Sequence, residues 1–232
     1  LPEGITLQQA LAMLSKAEAL ESEVQGIADA RLRALAGERP SAEGLFLPES
    51  YHYERGDSDW DILQRAHAAL NGVLAAAWQQ RMDNLPYESP YEALIMASII
   101  ERETGVPEER REIAGVFVRR LQRRMRLQTD PTIIYGLGES FDGNLRRVHL
   151  NDPNNLYNTD RPPGLPPTPL ALPGRAAIEA ALNPADGDSL FFVARGDGSH
   201  TFSSNLADHE RAVRQYQLQR RADYRSSPGG DQ

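Results

Sequence analysis

Apolar residues recur at helical spacing through most of this chain, and the breaks between runs fall on Pro, Gly and Asn. The first forty residues predict two short amphipathic helices. Thr6 with Gln9 fits a capping box ahead of Leu7, Leu11 and Leu14, and Gly37 is a stop for the second helix. The segment Glu43 to Tyr53, EGLFLPESYHY, mixes aromatics with a proline and is expected to form a short strand and turn. From Asp59 to about Met82 the spacing is helical again, capped by Ser58, with Trp60, Ile62, Leu63 and Leu70 at apolar positions.

The next run is more unusual. Ser89, Pro90, Tyr91 and Glu92 make a helix start, with a capping serine, proline in the first turn and a glutamate able to reach back to the cap. The helix continues through ALIMASIIERET towards Gly105. At about 100° per residue, Leu94, Ile95, Met96, Ile99 and Ile100 cover most of its circumference, so it belongs in a core. It nevertheless ends in Glu101, Arg102, Glu103 and Thr104, which places carboxylates at the lip of a buried element.

A further helix is expected from Glu108 to Met125, with Ile113, Val116, Phe117 and Leu121 as its buried stripe. Leu127 to Gly138 resembles a turn, a short strand and a glycine stop. Asn151 to Gly174 is too rich in Pro, Asn and Gly for regular structure, and loops of this length in a compact domain are usually functional or disordered. Tyr157 and Leu165 favour an ordered loop. Arg175 to Leu182 is a short helix, SLFFVARGDGSHTFSS a hairpin turning at Gly196 to Gly198, and Asn205 caps a last helix reaching about Tyr224. Helices first and a small sheet later predict an α+β fold.

Composition narrows the class. The 232 residues are 40% hydrophobic and 25% charged, as in an ordinary globular protein. A net charge of -8 argues against a nucleic-acid-binding surface. The arginine-dense stretch Arg119 to Arg126 then predicts the solvated face of an amphipathic helix. With no cysteine, disulfides and thiolate sites are excluded. No apolar run is long enough to cross a bilayer, and the chain starts at Leu1 without an initiator Met, as an excised part of a longer protein would.

The chemistry suggested by the buried helix is that of an acid. Cleaving a glycosidic bond needs a carboxyl that protonates the leaving oxygen, and therefore a pKa raised towards neutrality. Glu103 closes a core helix, where the negative end of the macrodipole and apolar neighbours both disfavour its ionised form. Glu101 lies two residues away, so the two side chains point about 160° apart and cannot share one site.

MASIIERETG resembles the active-site helix of the endolytic murein transglycosylases, the YceG-like (MltG) family. The likeness continues, in order, with VFVRRL at 116–121, MRLQTDPTIIYGLG at 125–138, YNT at 157–159, GLPP at 164–167 and GSHTFSSNLADH at 198–209, with LPEG and EGLFLPESYHY upstream. It covers nearly the whole chain. It implies a lysozyme-like helical catalytic core over 86–225, a helical N-terminal part over 1–85 and a disordered tail over 226–232. It assigns Glu103 as catalytic acid/base, with Glu101 as fallback, and implies non-hydrolytic cleavage between N-acetylmuramic acid and N-acetylglucosamine that leaves a 1,6-anhydro end. Such a reaction calls for no cofactor, metal or second carboxylate. In the cell it would help to end glycan elongation.

Gln128, Asp130, Tyr157, Asn158, His200 and Asn205 then become candidate walls of a glycan cleft. Each also has a purely structural role open to it: turn former, loop pin, hairpin residue or helix cap. Family members usually carry a membrane anchor and a LysM-like module, absent from this sequence. The resemblance therefore implies an extracytoplasmic, periplasmic part of an inner-membrane protein, with glycan strands as substrate and peptidoglycan synthases (penicillin-binding proteins) as partners. Two rival readings stand beside it: a hydrolytic muramidase pairing Glu103 with Asp130, and a non-catalytic peptidoglycan-binding scaffold.

Overall fold

The helices begin where capping chemistry starts them. In a computed structural model describing residues 1–218, α1 (Leu7–Leu14) opens on a capping box in which Thr6 and Gln9 satisfy each other's backbone N–H. α2 (Ala30–Ala36) is capped by Asp29 and closed by Gly37, at φ +61°. α3 (Asp59–Gln79) opens on a second capping box, Ser58 with Asp61. α4 (Pro90–Glu103) starts at Ser89, whose side chain accepts the Glu92 N–H. Glu92 itself reaches the Glu88 N–H at 2.6 Å, not the cap, so no full box forms.

Every residue of α4 from Ala93 to Ile100 is buried. Covering one large aliphatic side chain is worth about 1.5–3 kcal/mol, which makes this helix the natural centre of the fold. α8 (Arg175–Leu182) packs along it, with α3, α5 (Arg110–Gln122) and α6 (Asp130–Leu137) around the rest. The short α7 (Arg147–Leu150) lies in the connection between α6 and α8. One contiguous core runs from Leu7 to Leu182. β1 (Phe191–Ala194) and β2 (His200–Ser203) form an antiparallel hairpin with Phe192 opposite Phe202. α9 (Leu206–Val213) packs over it, is capped by Asn205, and continues as a π-helical turn from Arg214 to Leu218. The fold is α+β, helices with one small antiparallel sheet. The expected extension of α9 to Tyr224 and the tail over 226–232 lie outside the described residues. Among the described residues, no helix is long and apolar enough to cross a membrane.

Three expectations are corrected. Glu43 to Tyr53 forms no strand: Leu45, Phe46 and Leu47 are buried, but the Leu47 N–H bonds the Ala66 carbonyl of α3 at 3.0 Å. A strand needs a neighbouring strand to pair with, and this segment lies against a helix. Leu127 to Gly138 contains α6 in place of a strand. Proline suits the first turn of a helix, and burial of Thr132 and Ile133 overrides their β-branched preference. Finally, the arginines of α5 are not all solvated. Arg119 bonds the Ser189 and Ala185 carbonyls at 2.8 and 3.1 Å, and Arg120 is buried.

Candidate active site

Glu103 is the last residue of α4, and the extended Thr104 (φ -141°) ends the helix behind it. The Thr129 hydroxyl donates to Glu103 Oε1, and among the described residues this is the hydrogen bond the carboxyl receives. Thr129 is itself fixed in two ways. Its N–H donates to Thr159 Oγ1 at 3.1 Å, and its carbonyl accepts the Thr132 hydroxyl at 2.7 Å. Thr132 and Thr159 meet through their hydroxyls at 2.8 Å, and all three threonines are buried. A buried hydroxyl with satisfied partners holds one rotamer, so Glu103 is presented by a rigid support.

Burial pushes the Glu103 pKa up to about 7, and the like charge of Asp130 adds to the rise. The Thr129 hydrogen bond and the Arg120 and Arg102 cations pull the other way and do not overcome it. The carboxyl is thus poised to hold or release a proton near neutral pH, as a general acid and base requires. Asp130 opens α6. As a residue it is open to solvent, yet the protein crowds its carboxyl enough to raise the pKa, and Asp160 adds to this.

Arg120 braces the same corner. Its Nε donates to the Leu190 carbonyl at 2.7 Å, and one terminal nitrogen donates to the carbonyls of Leu127 at 2.7 Å and Arg126 at 3.2 Å. Its guanidinium also lies 5.1 Å from the Phe191 ring centroid. The strap it holds turns at Gln128, whose φ of +54° is left-handed, an uncommon conformation for a residue other than glycine. Gln128 is exposed, and its N–H bonds the Thr159 carbonyl at 3.2 Å.

Glu101 faces elsewhere. Its Oε2 accepts the Gly174 N–H at 2.9 Å, at the start of α8, and Oε1 lies 3.6 Å from Arg110. It serves as a cap for a helix whose own N-cap is glycine. Tyr157 packs against the Tyr135 ring at 4.9 Å and shares a hydroxyl contact with Thr168 at 2.8 Å. Asn158 is buried, its amide donating to the carbonyls of His149, Leu150 and Asp152 and its oxygen accepting the Asp160 N–H. These two residues pin the irregular loop. His200 Nδ1 meets Glu109 Oε2 at 2.8 Å, tying β2 to the turn before α5, and Asn205 caps α9. Glu103, Asp130 and Gln128 are therefore brought to one corner, while the hydrogen bonds of Tyr157, Asn158, His200 and Asn205 go to scaffolding. Thr129, Arg120, Thr159 and Asp160 complete the corner and were not singled out by sequence. Thr129 and Thr159 stand inside motifs quoted above, but nothing in spacing marks either as a partner of Glu103.

Among the described residues, no group of three or more His, Cys, Asp or Glu is placed to share a metal ion. The corner thus presents a buried carboxyl of near-neutral pKa at the C-terminal end of the core helix, an arrangement able to act as a general acid and base. The chain belongs to the YceG-like family, whose profile matches residues 1–215. It is 33% identical over 175 residues to the endolytic murein transglycosylase of Bacillus subtilis (strain 168), covering 75% of this chain and 48% of that protein. The endolytic murein transglycosylase of Streptococcus pneumoniae serotype 2 (strain D39) is 30% identical over 186 residues, covering 78% and 33%. A crystal structure of a YceG-like protein from Listeria monocytogenes superposes with a TM-score of 0.70 at 28% identity, over 90% of this chain and 74% of that one. The chain spans about half or less of the length of these two curated relatives.

Proposed function

We propose that this chain is the catalytic part of a lytic transglycosylase that cuts peptidoglycan strands between N-acetylmuramic acid and N-acetylglucosamine, with Glu103 as its acid and base. One observation carries the reading: a largely buried carboxyl, raised to about 7, whose hydrogen bond comes from a neutral hydroxyl and not from a charged partner. A carboxyl so placed can be protonated when substrate arrives. It gives its proton to the glycosidic oxygen as the bond from muramyl C1 to that oxygen breaks. The carboxylate then accepts the proton of the muramyl C6 hydroxyl while the C6 oxygen bonds to C1. The product is a 1,6-anhydro ring, no water is consumed, and Glu103 ends protonated as it began. An internal nucleophile needs orientation more than activation, which suits a site with one acid. Peptidoglycan lies outside the cytoplasmic membrane, so on this reading the protein works there, anchored at the membrane. Trimming nascent strands in this way would end their elongation beside the synthases that make them.

A second reading is favoured by one specific feature, the electrostatic reach of Asp130 to Glu103. If Asp130 activated water, the enzyme would be a hydrolytic muramidase. Mass spectrometry of digested glycan strands separates the two. We expect ends one water lighter than a reducing sugar, and a reducing-end muramic acid would overturn the transglycosylase assignment. Glu103→Gln keeps the shape and removes the titrating proton. It should lower turnover at least about a thousandfold, whereas cleavage at the parent rate would point to a different site or to a scaffold.

A further inference from the structure

A cavity of about 960 Å³ opens next to this site, between α1, α2 and α6. Arg102, the neighbour of Glu103 in α4, and Pro131, the neighbour of Asp130 in α6, both line it. Its floor holds Glu43, a buried carboxyl whose oxygens are taken by the Leu7 N–H at 2.8 Å and the Tyr135 hydroxyl at 3.0 Å. The unusual part is its cationic lining. Arg33, Arg39 and Arg102 all contribute to the wall and are exposed, and among the described residues none lies within 4.0 Å of a carboxylate. By contrast Arg31 and Arg65, on nearby elements, are both ion-paired. In a chain of net charge -8, these three cations outnumber the two carboxylates of the lining, the buried Glu43 and the exposed Glu139, so the wall carries an excess of positive charge.

These arginines are also partly pre-positioned. Arg33 donates to the Ala28 carbonyl at 2.7 Å, Arg102 to the Gly4 carbonyl at 3.0 Å, and Arg39 lies 4.9 Å from the Tyr91 ring centroid. Each keeps further N–H groups free, because a guanidinium has five. The Tyr91 hydroxyl behind Arg39 is buried with no hydrogen-bond partner in the protein. Ile27, 59% exposed, and Ile134 give the wall an apolar side.

We propose that this cavity binds the peptide arm of the substrate, a short chain bearing several carboxylates and carried on the muramyl sugar, while Glu103 acts on the sugar strand beside it. The identity of the ligand rests on the proposed glycan-cleaving role; the cationic, partly apolar character of the site does not. Titration calorimetry tests it with an isolated stem peptide and the same peptide with every carboxylate amidated. The free-carboxylate peptide should bind, with amidation weakening it at least about tenfold and Arg33→Glu with Arg39→Glu doing the same. Glu103→Gln should bind it as the parent does. Equal binding of the two peptides, no binding at millimolar concentration, or indifference to the double charge reversal in a protein whose melting shows it folded would each overturn the proposal. On strands, the preference in kcat/KM for peptide-bearing over peptide-stripped glycan should fall about tenfold in the double variant, and an unaltered preference would also overturn it. Charge-dependent peptide binding without turnover of any glycan would sink the role of Glu103 and leave the cavity assignment standing.

Discussion

Thr129 donates its hydroxyl to Glu103, and its own backbone is clamped on both sides by Thr159 and Thr132. The bond favours the ionised carboxylate, so losing it must move the Glu103 pKa further above about 7. Thr129→Val is expected to lower kcat/KM roughly tenfold, as befits one hydrogen bond to a charged group, and to shift the alkaline limb of the pH–rate profile upward. Thr129→Ser should restore both. A fall in rate with an unmoved limb would mean that Thr129 acts only through folding.

Asp130 acts on Glu103 with the opposite sign, since its negative charge raises that pKa. Asp130→Asn should therefore move the alkaline limb to lower pH. At pH 6 it should keep activity within about tenfold of the parent, because the single-acid route assigns it no proton. A loss of a thousandfold or so at every pH would instead identify a second catalytic carboxylate.

Much of this corner could be read from sequence, for identifiable reasons. The position of Glu103 followed from local rules: a capped start at Ser89, an apolar circumference, and a carboxylate at the end. The separation from Glu101 followed from helix geometry alone, and the structure turns Glu101 to Gly174. What failed was non-local. Thr132, Ile133 and Ile134 carry strand propensity, but the pocket they enter exists only once α4 is in place. Arg120 sits in a run of charge, and nothing in the run says that its carbonyl partners come from Leu190, seventy residues on, and from the turn after its own helix. The partner of Glu103, Thr129, lies 26 positions away, beyond any periodicity. His200 and Asn158 are polar residues in family-like motifs, and only the coordinates reveal that their hydrogen bonds go to Glu109 and to loop carbonyls.

Glu43 makes stability depend on pH. Burial raises its pKa to about 7 from 4.5, so the folded state holds a proton that the unfolded state releases. Its stabilising contribution is therefore complete below pH 4.5 and lost as pH rises through 7. A shift of this size corresponds to about 3 kcal/mol at most. Glu43→Gln can still accept the Leu7 N–H with its amide oxygen and donate its amide NH2 to the Tyr135 oxygen, without titrating. The thermal midpoint of the parent should drop between pH 5 and pH 8, and that of Glu43→Gln should drop less. Parallel pH dependence in the two proteins would show that the penalty lies elsewhere.

Arg120 couples the stability of the strap to the acidity of the site. Three carbonyls, from Leu190, Arg126 and Leu127, accept from this one buried guanidinium, and a methionine of similar length would leave all three without that donor. Arg120→Met should cost roughly 3 kcal/mol, seen as a fall of about 6–12 °C in the melting midpoint of a domain this size. The cation also lowers the pKa of Glu103, so its removal should push the alkaline limb of activity upward in the molecules that stay folded. Arg120→Lys separates the two effects. A single ammonium cannot span carbonyls on both sides, so stability should stay reduced, while the retained charge should bring the limb back towards the parent position. If lysine restored stability but not the limb, the link from Arg120 to Glu103 would be refuted.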